Sequence, residues 1–76
     1  MSLDRDKVFA SAQKYLQKGQ VDKAIQEYLR VVKEDPADVR TLLKIGDLYV
    51  KKGSRLEACR TYQQVAETYA QQGFFL

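Results

Sequence analysis

The chain has 76 residues, a net charge of +3, 45% hydrophobic residues, one proline, four glycines, one cysteine and no histidine. That length holds one small domain near the lower limit for a self-sufficient core, and this composition excludes collagen-like and disordered chains. No apolar run approaches the roughly 20 residues of a membrane span, the N-terminus lacks a signal-peptide core, and a single cysteine builds no disulfide framework, so a soluble, cytoplasmic chain is expected.

The elements follow in order. Ser2 or Asp4 is available to cap a first helix, in which Val8, Phe9, Ala12, Tyr15 and Leu16 recur at three- and four-residue spacing up to about Lys18. Gly19 supplies the left-handed residue that ends such a helix. A second helix is predicted from Val21 to Glu34, with Ala24, Ile25, Tyr28, Leu29, Val31 and Val32 on its apolar side. In Asp35-Pro36-Ala37-Asp38, Asp35 reads as the cap of a third helix, Pro36 as its first residue and Asp38 as first-turn negative charge. That helix carries Val39, Leu42, Leu43, Ile45, Gly46, Tyr49 and Val50 and stops before Gly53. Ser54 and Glu57 have capping-box spacing and open a fourth helix with no stop before Gly73. Turns this short make neighbouring helices antiparallel.

The chain states one pattern twice. Tyr15, Lys18, Gly19, Ala24, Tyr28 and Val31 recur 34 residues later as Tyr49, Lys52, Gly53, Ala58, Tyr62 and Val65. Val8 with Leu42, Ala12 with Gly46 and Leu16 with Val50 keep the same offset. A fixed period of this size marks a stacked supersecondary unit. The order of large, small, Tyr, Gly, Ala and aromatic residues resembles the tetratricopeptide repeat. Two divergent copies cover 5–38 and 39–72, and a further one starts at 73–76 within a single domain of 1–76. Ala70 stands where the family's late proline would follow Pro36, and Val8 or Leu42 where it favours Trp. The resemblance implies an all-α superhelix of two antiparallel hairpins, and the start of a further copy at Gly73 points to a fragment, or an unusually short array, of a longer repeat protein.

Charge is uneven. Residues 1–38 hold seven bases and seven acids, whereas 39–76 hold six bases against three acids. No catalytic constellation is visible: histidine is absent, no glycine-rich phosphate loop occurs, and Cys59 reads as a small buried residue. A non-enzymatic chain without cofactor or metal is expected. Tyr15, Tyr28, Tyr49 and Tyr62 read as packing residues rather than a platform for nucleic acid.

The resemblance implies a concave groove formed by the first helix of each repeat and holding a protein or peptide. Its groove positions carry over to Asp6, Phe9, Gln13, Leu16 and Gln17, then to Arg40, Leu43, Asp47, Val50 and Lys51, with Lys44 at the edge. Arg40, Lys44, Asp47 and Lys51 share one helical face beside Leu43 and Val50, a surface suited to an acidic, partly apolar peptide. The subclass that grips a C-terminal carboxylate with Lys and Asn is not matched, because Phe9, Leu43, Gln13 and Asp47 occupy those positions. The alternative role is structural: Tyr69, Phe74, Phe75 and Leu76 at an apolar C-terminal end predict self-association by exchange of C-terminal segments. Nucleic-acid binding by the basic half ranks third.

Overall fold

The computed structural model describes residues 4–73, which form four α-helices: α1 (Arg5–Gln17), α2 (Val21–Glu34), α3 (Val39–Lys51) and α4 (Arg55–Gln71). Gly19 and Gly53 close the first helix of each pair in the same way. With φ of +75° and +84°, each sits in the left-handed region that costs glycine little. The Gly19 and Gly53 amides donate to Leu16 and Val50, and the Gln20 and Ser54 amides reach back to Tyr15 and Tyr49 at 2.8 Å. The chain thus turns twice through one hydrogen-bond pattern.

Each helix packs on the next in sequence, giving a slab of 38 × 34 × 15 Å. α2 is held on both flanks, by α1 and by α3. It buries Ala24, Ile25, Tyr28, Val31 and Val32. With Ala12, Val39, Leu42, Ile45 and Val65, most of these make one central core. Ile25, Leu42 and Ile45 are at most 2% exposed, and side chains of this kind contribute about 1.5–3 kcal/mol each when fully buried. Of the four repeated tyrosines, only Tyr28 is buried; Tyr15, Tyr49 and Tyr62 are half-buried.

Three local expectations are corrected. The third helix starts at Val39, and its cap is Asp38 rather than Asp35. The Asp38 amide donates to the Asp35 carbonyl at 3.1 Å, closing a four-residue turn with Pro36 in the position that suits its fixed φ. Asp35 is occupied there, its carboxylate accepting from the Ala37 amide at 3.2 Å. The Ser54–Glu57 capping box does not form, since the Ser54 side chain makes no cap bond. Its backbone N–H, which Glu57 would have to engage, already donates to Tyr49. Cys59 is exposed, not buried, because among the described residues no helix packs on that side of α4. At the start of α1, Asp4 does cap, accepting from the Lys7 amide at 3.2 Å.

Three threonines complete the buried set. Thr41, Thr61 and Thr68 are buried, and Thr61 and Thr68 return their hydroxyls to the carbonyls of Glu57 and Gln64 at 2.8 Å. Thr41 leans instead on Asp38, whose carboxylate takes the Thr41 amide at 3.2 Å and its hydroxyl at 2.8 Å. The same carboxylate receives the Arg5 guanidinium, tying the start of α1 to the start of α3. Asp38→Ala therefore removes a cap and strands a hydroxyl on a residue 1% exposed. The expected loss is about 2–3 kcal/mol, read from urea denaturation, while Asp35→Ala should cost well under half of that.

Candidate functional site: the outer faces of α1 and α3

The predicted groove residues lie on α1 and α3, and the two helices present them differently. On α1, Phe9 and Leu16 are half-buried against the core, with Gln13 and Gln17 exposed. Phe9 leans on Tyr28 with ring centroids 5.7 Å apart, and the Arg5 guanidinium lies over the Phe9 ring, 5.7 Å from its centroid. Much of the apolar surface expected of α1 is thus used within the molecule. On α3, Leu43 is 37% and Val50 56% exposed, although large apolar side chains usually sit inside. Arg40, Lys44, Asp47 and Lys51 are exposed beside them.

Among the described residues Arg40, Lys44 and Lys51 make no ion pair. Lys52, one residue on, does: it reaches Asp22 in the first turn of α2. That contact raises the Lys52 pKa, chiefly through the hydrogen bond to Asp22. It also fixes the end of α3 against α2 and leaves the other three cations on the open face.

Two of the groove positions hold the hairpins together. Gln13 donates to the Tyr28 hydroxyl at 3.4 Å, and the Tyr62 hydroxyl donates to Asp47 at 2.5 Å. These are the same pair of positions, 34 residues apart. Asp is one methylene shorter than Gln, so Tyr62 must come closer to α3 than Tyr28 does to α1. Gly46 makes the room: a Cβ there would meet the Tyr62 ring at 2.6 Å. In the first hairpin the corresponding residue is Ala12, buried at 0% exposure. Sequence reasoning assigned Gln13 and Asp47 to the groove alone. The 15-residue spacing to each tyrosine was a signal available beforehand.

Tyr69, expected to take part in self-association, is 38% exposed near the end of α4; Phe74, Phe75 and Leu76 lie outside the described residues. Among the described residues no cluster of His, Cys, Asp or Glu could hold a metal ion, and no helix is long and apolar enough to cross a membrane. Shallow hollows lie elsewhere; the one between the α2–α3 turn and α4 measures about 360 Å³ and is lined by polar residues such as Asp35, Gln64 and Glu67.

A family model described as TPR repeat matches residues 12–53, and a second, described as tetratricopeptide repeat, matches residues 40–71. No curated protein matches the chain significantly.

Two expectations follow from the Asp47–Tyr62–Gly46 contact. In the first, Gly46→Ala gains helix propensity of about 1 kcal/mol but collides with the ring. The net outcome should be a loss of about 1–2 kcal/mol that reverses to a gain when Tyr62→Ala is also present, as a double-mutant thermal unfolding cycle would show. The second concerns pH. The hydrogen bond to Asp47 raises the Tyr62 pKa above its ordinary 10.0, so its stabilising effect is complete below that value and is lost as pH rises through the raised one. NMR titration of ring-labelled tyrosine should place Tyr62 ionisation above 10.0 and, in Asp47→Asn, bring it back towards 10.0.

Proposed function

Because the chain belongs to the tetratricopeptide repeat family, whose repeats commonly mediate protein–protein interaction, we propose that it is a non-enzymatic, cytoplasmic scaffold that binds a protein or peptide in the concave groove of two repeats, 5–38 and 39–72. The observation that carries the reading is the outer face of α3. Leu43 and Val50 stand exposed there, one helical heptad apart, with Arg40, Lys44 and Lys51 around them and no ion pair among the described residues to occupy those charges.

Physical chemistry favours one kind of partner. Apolar side chains in water contribute when covered, at about 25 cal/mol per Å², and uncommitted cations steer an acidic segment towards them. A peptide bearing both acidic and apolar residues satisfies the two demands together. Phe9 and Leu16, half-buried on α1, give a second, shallower apolar strip. Gln13 and Asp47 act less as contacts than as struts, since both are engaged with tyrosines of the helix behind. The interspersed Asp47 disfavours a phosphate backbone, which would need several uninterrupted basic contacts. A lone exposed thiol suits a reducing compartment.

The reading is tested with a fluorescent peptide carrying Glu and Leu at three- and four-residue spacing, and with its Lys-for-Glu counterpart as control. The acidic peptide should bind and the basic one should not. Arg40→Glu with Lys44→Glu should weaken binding by about tenfold or more while circular dichroism stays unchanged. Equal affinity for the two peptides, or for wild type and variant, would show that this face is not the binding site.

A further inference from the structure

Among the described residues α4 packs against a helix on one side only. Its buried residues are Ala58, Thr61, Val65 and Thr68. At about 100° per residue, the opposite side presents Leu56, Cys59, Arg60, Gln63, Glu67 and Ala70, all exposed.

The internal repeat shows what this side does not do. Displaced by 34 residues, Cys59 and Ala66 correspond to Ile25 and Val32, members of the central core. Leu56 corresponds to Asp22, the acid that receives Lys52 from α3. On α4 the two bulky branched residues are a cysteine and an alanine, and the acid is a leucine 59% exposed. The chemistry by which α2 accepts the next helix is therefore not repeated.

What α4 carries instead is self-complementary charge. Arg60 and Glu67 lie on one edge of the outer face, and neither makes an ion pair among the described residues. Seven residues apart, they are about 10 Å from each other along the helix, too far to pair within it. A second α4 laid antiparallel, with a two-fold axis near the level of Gln63 and Gln64, sets Arg60 of each copy against Glu67 of the other. Symmetry makes the pair twice. The same arrangement brings Cys59 and Gln63 to within about 3 Å, along the axis, of the level of Ala70 and Ala66 in the second copy, side chains small or flexible enough for close helix approach. Leu56, exposed in the isolated chain, closes each end of the seam.

We propose that this chain forms a two-fold dimer through α4, antiparallel, with Arg60 of each copy paired to Glu67 of the other. This surface is separate from the α3 face, so a dimer leaves that face open. The seam also differs from an exchange of C-terminal segments, because residues 56–70 carry it. One helix from each copy makes a small interface, so association is weak and concentration-dependent, and it weakens further with salt.

Sedimentation equilibrium tests it. The mass should rise from monomer towards dimer with concentration. Arg60→Glu alone and Glu67→Arg alone should each weaken the dimer by about tenfold, since each reversal acts at two sites. The double reversal, Arg60→Glu with Glu67→Arg, should restore it. Circular dichroism confirms that all three variants stay folded, which exposed positions permit. A monomer up to about 1 mM at low salt, or a double reversal that fails to restore association, overturns the proposal. Register is read by cross-linking with oxidised glutathione as the two-electron oxidant. In this arrangement the two Cys59 residues are about 15 Å apart along the seam, beyond disulfide reach, so wild type should give no covalent dimer. Ala70→Cys should give one through Cys59. A covalent wild-type dimer would mean parallel pairing and overturns it.

Discussion

The structure depends on α2 having to bury two flanks at once. A helix ordinarily hides one stripe. α2 hides a wider arc, so Ala24 and Val31 are buried together with Ile25 and Val32, and it is placed only when both α1 and α3 are present. The polar ties follow the same geometry. Arg5 reaches from α1 to Asp38 and Lys52 reaches from α3 to Asp22, so charges brace α2 and its turn from both sides. Exposed ion pairs contribute little individually; their value here is in fixing how one hairpin sits on the other.

Most of the architecture is legible in the amino-acid sequence. Periodicity, the two glycines and the 34-residue offset each point to four helices in two hairpins. What stayed illegible turned on competition between neighbours for the same hydrogen-bonding group. Asp35 and Asp38 are equally good caps by residue type, and only the turn closed by the Asp38 amide assigns the role to Asp38. Ser54 and Glu57 have the right spacing, but the amide they need is already spent on Tyr49. Threonine is counted as polar by type, although a hydroxyl returned to its own helix leaves a methyl group to pack, as at Thr61 and Thr68.

The candidate site was legible by helix and only partly by residue. Leu43 and Val50 announce themselves as apolar residues on the polar side of α3. The double life of Gln13 and Asp47, exposed and yet bonded to the helix behind, depends on side-chain length and on the space left by Gly46. Exposure of Cys59 follows from which helices pack on α4 among the described residues and not from its residue type, since Ile25, its counterpart 34 residues earlier, is buried. Tetratricopeptide repeats make this general: one sequence pattern serves helices with one flank covered and helices with two.

The slab is about 15 Å thick, and among the described residues its closest helix packing is between helices adjacent in sequence. Most close helix packing is thus between segments that leave the ribosome close together, and closing the chain around them costs little loop entropy. Such a molecule folds quickly, and it opens from its ends. Amide hydrogens of α2 and the first half of α3, beside the shared core, should exchange with solvent most slowly, and those of α1 and α4 earlier. An opening of α4 would loosen Tyr62 from Asp47 before the rest of α3 moved, so the shape of the α3 surface is coupled to α4.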